Sequence, residues 1–142
     1  MIFKSLGDKE LFTLCLFGEA RGESIDGKIA VASVIINRLK RQSWFGKSLK
    51  EVILKPYQFS CFLEKDPNRK VLEKIADEFR EHLTENIALR ECYWVAEGVL
   101  DEWLTSNVGK ATHYHTKQVD PKWDNEMKLI TIIGNHEFYE EA

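Results

Sequence analysis

The segment that most constrains the fold runs from residue 27 to residue 40. Apolar side chains fill nearly every position of its helical pattern: Ile29, Ala30, Val31, Ala32, Val34, Ile35 and Ile36. A helix that is apolar almost all round is stable only where other elements cover it on every side. The segment therefore predicts a helix at the centre of a domain, and Asp26 is its predicted N-cap.

Neighbouring segments have the patterns needed to cover this helix. Asp8 is the predicted cap of a helix that ends near Gly18 or Gly22. Residues 49–54 predict a short helical turn, and residues 55–57 an extended stretch, because proline disfavours a helical residue before it. Two amphipathic stripes predict two more helices: Leu72, Ile75, Ala76, Phe79 and Leu83, then Leu89, Cys92, Tyr93, Ala96, Leu100 and Trp103.

The C-terminal part of the chain has a different pattern. Short runs rich in β-branched and aromatic residues occupy 111–116, 128–133 and 136–139, separated by Pro121 and by the pair 134–135. These runs predict a small antiparallel sheet or hairpin. The fold class is therefore α+β, mainly α, with a small C-terminal β element.

Length and composition limit the classes of function that the protein can have. The 142 residues suit one hydrophobic core, so residues 1–142 are expected to form a single domain and a monomer. The formal net charge of −3 and the lack of a long basic block disfavour nucleic-acid binding. No apolar run approaches the ~20 residues of a membrane helix, so stable membrane association is not expected. The three cysteines are widely spaced, which predicts reduced core thiols.

Two glutamates stand near glycines where the first long helix ends. Glu19 follows a nearly all-apolar helix, and burial there raises the pKa of a carboxyl group toward the range of a general acid. Glu23 precedes the next helix and can interact with the N-terminus of that helix or with Arg21. Both residues can also be ordinary solvated acids, as most glutamates are.

The histidines form a second constellation. His113 and His115 alternate along one predicted strand and share a face, and His136 is a third candidate metal ligand. No acidic residue lies at a recognisable ligand offset, so ordinary hydrogen bonds are the favoured interpretation and no metal is expected. Tyr114 lies on the opposite face from His113 and His115, where its hydroxyl can line a groove.

Aromatic and amide side chains in predicted loops suggest sugar binding, because sugars stack on aromatic faces and accept hydrogen bonds from amides. They are Trp44, Tyr57, Gln58, Phe59, Ser60 and Trp123. Trp94 and Trp103 lie on a helical stripe instead and are predicted to pack in the core. We expect Gln58, Ser60 and Tyr114 to line a cleft around Glu19.

Several blocks of the sequence occur in an order that is specific to one family. They are Gly-Glu-Ala-Arg-Gly-Glu at 18–23, the helix at 27–38, Tyr-Gln-Phe-Ser at 57–60, Ala-Thr-His-Tyr-His at 111–115 and Ile-Gly-Asn-His-Glu-Phe-Tyr at 133–139. Together they resemble the cell-wall hydrolase family of the spore-cortex-lytic enzyme SleB. The resemblance spans residues 11–139.

This resemblance implies a lysozyme-like fold, peptidoglycan glycan strands as the partner and substrate, and no cofactor. It also implies that Glu19 is the catalytic acid/base of a lytic transglycosylase, which cleaves the bond between N-acetylmuramic acid and N-acetylglucosamine and forms a 1,6-anhydro sugar. One glutamate suffices because the 6-hydroxyl of the substrate replaces the attacking water. The predicted substrate-binding residues are Glu23, Tyr57, Gln58, Ser60 and Tyr114.

Three other functions remain open at this stage. A lysozyme-type muramidase would use water in place of the sugar hydroxyl. A glycan-binding module would use the loop aromatics and Tyr114 without cleavage, with Glu19 only as a hydrogen-bond acceptor. A zinc amidase would use His113, His115 and His136 as ligands.

The N-terminal pattern bears on the cellular context. The apolar stretch that begins at Leu11 is short and follows acidic residues, so no signal peptide is predicted. A catalytic domain with neither a leader nor a separate wall-binding domain looks like a phage lysin, and an excised bacterial domain or a virion-attached enzyme fits the same sequence. A phage lysin is expected in the cytoplasm of the producing host cell until a membrane-permeabilising protein releases it to the cell wall.

Overall fold

The computed structural model describes residues 2–121, 123 and 126–141. Its helices are α1 Ile2–Ser5, α2 Asp8–Ala20, α3 Ile25–Arg41, α4 Leu49–Leu54, α5 Pro67–Asp77, α6 Phe79–Glu85 and α7 Ile87–Leu100. A short 3₁₀ turn at Ser60–Phe62 precedes α5, and the strands are β1 His113–Thr116, β2 Lys128–Ile133 and β3 His136–Glu140. The predicted α+β class, mainly helical with a small C-terminal antiparallel sheet, is confirmed.

The apolar segment forms the central helix α3. Its residues from Ile29 to Ile35 are buried, with α2, α4 and α7 packed around them. The predicted cap is wrong, because the N-cap is Ser24, whose hydroxyl accepts a hydrogen bond from the N–H of Gly27 at 3.1 Å. Asp26 lies in the first turn instead, since the helix begins before its apolar pattern does.

The helix α2 crosses the core and carries Glu19 at its C-terminal end. Its buried residues run without a break from Leu11 to Phe17, and it packs mainly on α7. The predicted cap at Asp8 is also wrong. Gly7 occupies the N-cap position without a side-chain hydrogen bond, and Asp8 is the first helical residue.

The two predicted C-terminal helical stripes need corrections. The first stripe is divided between α5 and α6, because Glu78 leaves the helical region at φ −132° and ψ 54°. The second forms α7, which ends at Leu100 and so excludes Trp103. Trp94 and Trp103 are 45% and 49% exposed rather than in the core, and they pack edge to face on each other with ring centroids 5.0 Å apart.

The residues around Pro56 form a turn and not the predicted extended stretch. Lys55 is extended, as a residue before proline should be. Tyr57 then adopts a positive φ of 65°, and the N–H of Gln58 donates to the carbonyl of Lys55 at 3.2 Å. This turn reverses the chain directly before the Ser60–Phe62 turn.

The sheet has the order β1-β3-β2, and all its pairs are antiparallel. In the β1 and β3 pair, Tyr114 is opposite Phe138 and Thr116 is opposite His136. Side chains alternate between faces along a strand, so Tyr114, Phe138 and His136 share one face. His113 and His115 lie on the other face.

Burial of the cysteines agrees with a further expectation. The thiols of Cys15, Cys61 and Cys92 are buried and unpaired, as predicted. Across the described part of the chain, no helix combines the length and apolarity that crossing a membrane requires.

Candidate functional site

Glu19 meets the sheet at the end of α2. Tyr114 lies on the face of β1 that it shares with Phe138 and His136, and its hydroxyl donates a hydrogen bond to Glu19 Oε1 at 2.6 Å. This distance is short even for a hydroxyl and a carboxylate, which indicates a strong charge-assisted hydrogen bond. Helix α2 and strand β1 therefore bring together two residues that are 95 positions apart in sequence.

Burial controls the acidity of this pair. Desolvation raises the pKa of Glu19 above its ordinary value, while the hydrogen bonds from Tyr114 and Cys61 and electrostatic interactions with His136 and Arg38 oppose the rise. Desolvation and the Glu19 carboxylate raise the pKa of Tyr114 well above its ordinary value, so the phenol keeps its proton and stays a donor. The site thus holds a carboxyl group that binds a proton more readily than a solvated glutamate does.

The other side of Glu19 is closed by the Ser60–Phe62 turn. Cys61 Sγ is so close to α2 that a Cβ atom on Gly18 would lie only 2.6 Å from it. Gly18 therefore allows a contact that any larger residue would block. Sequence reasoning gave Gly18 only as a possible helix end and gave Cys61 only as a core thiol.

Arg38 is a buried cation that sequence reasoning missed. It is 6% exposed, and its Nε donates to the carbonyl of Thr112 at 2.8 Å. Its Nη1 donates to Gln58 Oε1 at 3.4 Å, and its guanidinium lies 4.9 Å and 5.5 Å from the rings of Phe45 and Phe59. Burial lowers the pKa of Arg38. The signal that could have revealed it is an arginine shortly after the apolar stretch 29–36 of a helix that is predicted to be central.

The contacts of Arg38 place Gln58 at the site. The amide oxygen of Gln58 is occupied by the guanidinium, so the amide N–H₂ group is left to donate elsewhere. The neighbouring Tyr57 is 82% exposed, and Ser60 is exposed at the start of the turn that contacts α2. Gln58 is thus joined to Arg38, whose charge acts on Glu19, and Ser60 directly precedes Cys61. Their place in a cleft around Glu19 stays a prediction.

Glu23 joins the loop before α3 to the turn between β2 and β3. Its Oε1 accepts from the N–H of Asn135 and its Oε2 accepts from Asn135 Nδ2, both at 3.4 Å. His136 Nδ1 lies 3.5 Å from Glu23 Oε1. His136 in turn packs edge to face on Tyr114, with ring centroids 5.1 Å apart. Glu23 therefore supports the sheet behind Tyr114, and its substrate contact stays a prediction.

The three histidines do not converge on one point. His113 and His115 share a face with Tyr139, whereas His136 lies on the Tyr114 face. His115 Nε2 lies 3.2 Å from the hydroxyl of Tyr139, and His113 Nδ1 lies 3.0 Å from the hydroxyl of Thr112. Desolvation and then Arg38 and Arg41 lower the pKa of His113 to about 4. The three-histidine zinc site of the amidase hypothesis is thus not formed by these residues.

The arrangement at Glu19 has the parts that acid catalysis needs. It holds one partly buried carboxyl group and a phenol that fixes its orientation, and the amide of Gln58 is joined to it through Arg38. Within the residues that the structure describes, no group of three or more histidine, cysteine, aspartate or glutamate side chains has metal-binding geometry.

Comparison with solved structures defines the class of this fold. The chain is similar to the catalytic domain of the germination-specific lytic transglycosylase SleB from Bacillus anthracis, with a TM-score of 0.64, 25% identity and coverage of 94% of this chain and 93% of that one. It is also similar to the catalytic domain of the Bacillus cereus SleB protein, with a TM-score of 0.63 and 26% identity over 94% of this chain and 89% of that one. The predicted lysozyme-like fold is confirmed.

Sequence comparison identifies the family. The family model of cell wall hydrolases matches residues 22–139, so the chain belongs to that family. Spore cortex-lytic enzymes of Oceanobacillus iheyensis and Bacillus subtilis are 36% and 35% identical over 51% of this chain. The chain matches only 28% and 25% of the lengths of these two relatives. The matched family segment begins at Gly22, which is three residues after Glu19.

Proposed function

We propose that this protein degrades peptidoglycan by cleaving the β-1,4 bond between N-acetylmuramic acid and N-acetylglucosamine. The observation that carries the proposal is the partly buried carboxyl group of Glu19, which has a raised pKa and accepts a hydrogen bond from Tyr114. Membership of the cell wall hydrolase family and the similarity to the SleB catalytic domain support the same substrate.

Glu19 acts first as a general acid in this proposal. It donates its proton to the glycosidic oxygen, and the bond from that oxygen to C1 of the muramic residue breaks. The N-acetylglucosamine residue leaves with a free 4-hydroxyl group, and positive charge develops at C1. The raised pKa keeps a larger fraction of Glu19 protonated before this step.

The same residue then acts as a base. The Glu19 carboxylate accepts the proton of the muramic 6-hydroxyl while its oxygen bonds to C1, which forms the 1,6-anhydro sugar and restores the acid. No second carboxylate is needed, because the nucleophile belongs to the substrate. Tyr114 is a positioning residue that holds Oε1 in place throughout. Glu23, Tyr57, Gln58 and Ser60 are proposed to hold the glycan strand.

The test of this mechanism is Glu19→Gln, with Glu85→Gln as the matched control on the exposed surface of α6. Glutamine keeps the shape of the side chain and cannot supply the proton, so turnover on purified peptidoglycan should fall by about 10²–10⁴-fold. Glu85→Gln should retain the turnover of the wild type. Full activity of Glu19→Gln would remove Glu19 from the mechanism.

Mass analysis of the products tests the reaction type. Anhydromuramic ends are lighter by one water molecule than the reducing ends that a muramidase leaves. The proposal expects anhydro ends from wild-type protein. Reducing ends would instead assign the hydrolytic mechanism, and binding with no released product would indicate a glycan-binding module.

Use of this activity in phage-induced host lysis, with the enzyme held in the host cytoplasm until release, stays a prediction. It is tested by producing the protein in bacteria with and without a membrane-permeabilising partner. Lysis that requires the partner is expected. Lysis without the partner would contradict the prediction.

A further inference from the structure

A groove beside α4 collects positive charge that the Glu19 site does not use. It is open, measures about 650 Å³ and lies between α1, the loop 42–48 and α4. Ligand sites in proteins commonly measure ~300–1,000 Å³. Four lysines line this groove, Lys4, Lys47, Lys50 and Lys55, together with one acidic residue, Glu51. We call it the lysine groove.

The charges of the lysine groove are not neutralised by neighbouring side chains. Among the described residues, no carboxylate forms an ion pair with any of the four ammonium groups. Lys50 donates to a backbone carbonyl at 3.1 Å, and Glu51 accepts from a backbone N–H at 3.4 Å. The groove is therefore cationic on a chain whose formal net charge is −3. This excess suits an anionic ligand.

An aromatic wall accompanies these charges. Trp44 is 52% exposed in the groove, and Lys55 Nζ lies 5.5 Å from its ring centroid. A ligand that combines carboxylates with apolar side chains can use the ammonium groups and the indole together.

The lysine groove adjoins the chain segment that contains Gln58. Pro56 lines its end, and Gln58 lies two residues further along the chain. Arg38 connects the two places, because its guanidinium contacts Gln58 and lies over Phe45, another residue of the groove. A branch of a ligand bound at Gln58 can therefore enter the groove.

We propose that the lysine groove binds the carboxylates of the peptide stems that a peptidoglycan strand carries on its muramic residues. The sugars of the strand are uncharged, whereas stems with free carboxylates are anionic and are covalently attached next to the bond to be cut. This inference rests on the proposed function. It adds that the groove recognises the peptide stem of the substrate.

The test compares two substrates and one variant. Glycan strands are used with their stems and after an amidase has removed the stems. The triple variant Lys47→Gln, Lys50→Gln and Lys55→Gln removes three exposed or partly exposed charges. Its KM for strands with stems should rise about 10-fold, since exposed ion pairs contribute weakly but add together. Its kcat, and its KM for stripped strands, should equal those of the wild type.

The matched control removes three charges elsewhere on the surface, by Lys65→Gln, Lys70→Gln and Lys110→Gln. This variant should keep the KM of the wild type for both substrates. An equal rise in KM for both substrates in the groove variant, or no rise in either, would overturn the proposal.

A binding arm separates this inference from the proposed reaction. Free stem tetrapeptide should change the fluorescence of Trp44 in the wild type and not in the groove variant. The fluorescence change is assigned to Trp44 if it is absent in Trp44→Phe. If the wild type cuts neither substrate but the tetrapeptide binds in this way, the proposed function fails and the groove assignment stands. If poly(glycerol phosphate) binds and the tetrapeptide does not, the groove takes a phosphate polymer and the stem proposal is wrong.

Discussion

Replacing Tyr114 by phenylalanine tests how the site sets the acidity of Glu19. The substitution removes one hydroxyl group, which donates to Glu19 Oε1 at 2.6 Å, and leaves the ring that packs on His136 and Phe138. That hydrogen bond favours the ionised carboxylate and so opposes the rise of the Glu19 pKa caused by burial. Without it, the pKa of Glu19 should rise further.

The size of the effect follows from the type of hydrogen bond. A hydrogen bond to a charged group contributes about 1.5–3 kcal/mol, and 1.36 kcal/mol corresponds to one pKa unit. The free energy of this hydrogen bond therefore sets how far the pKa of Glu19 should rise in Tyr114→Phe. Because the free enzyme must be protonated to act as an acid, the high-pH limb of kcat/KM should move to higher pH by the same amount.

The assay is the rate of soluble product release from purified peptidoglycan, measured across the pH range at limiting substrate. Tyr139→Phe is the matched control, since its hydroxyl donates to Glu137 on the other face of the sheet. The control should leave the high-pH limb in place. If Tyr114→Phe is folded and the high-pH limb of its kcat/KM profile stays in place or moves to lower pH, that limb does not report the pKa of Glu19.

Three other predictions concern stability and metal. The raised pKa of Glu19 means that the folded state loses stability as pH rises from the pKa of the unfolded chain, about 4.3 for a glutamate, through the higher pKa of the folded protein. In urea unfolding, the stability of Glu19→Gln relative to the wild type should therefore increase as pH rises above the lower value, and a difference that does not depend on pH would contradict this. Gly18→Ala should destabilise the protein by about 1–3 kcal/mol, because its Cβ would lie 2.6 Å from Cys61 Sγ, and Cys61→Ala in the same chain should recover part of that loss. Chelators should not change glycan cleavage, since His136 lies on the opposite face from His113 and His115; activity that is lost with chelator and restored by zinc would contradict this.

The pattern of apolar residues predicted the fold because residues that face the core recur with the period of the helix or strand that carries them. The nearly all-apolar pattern of α3 and the alternation of side chains in β1 depend on which side chains face the core. Helix ends were less predictable. Ser24 caps α3 and Gly7 precedes α2, since several polar residues near each end could make the same hydrogen bond. Trp94 was misplaced because a helical stripe does not show that a second tryptophan covers it at the surface.

The candidate site was predictable only in part. Glu19 was proposed from its position at a helix end and Tyr114 from its face of a strand, and the two were expected to line one cleft. Their hydrogen bond joins α2 to β1, and no local pattern encodes a contact between residues 95 positions apart. The same holds for Arg38, whose partners Gln58 and Thr112 belong to different parts of the chain. Sequence shows which residues can do chemistry, whereas tertiary packing decides which of them meet.

Polar side chains from three different elements act on Glu19. Tyr114 approaches from the sheet, Cys61 from the turn before α5 and Arg38 from the central helix. Each group either holds the carboxyl in place or opposes the rise of its pKa, and only desolvation raises the pKa. The pKa of Glu19 therefore depends on how much water reaches the site. Opening the site to water would favour the ionised form, whereas a glycan strand that excludes water would favour the protonated form. Substrate binding itself should thus favour the protonation state that bond cleavage requires.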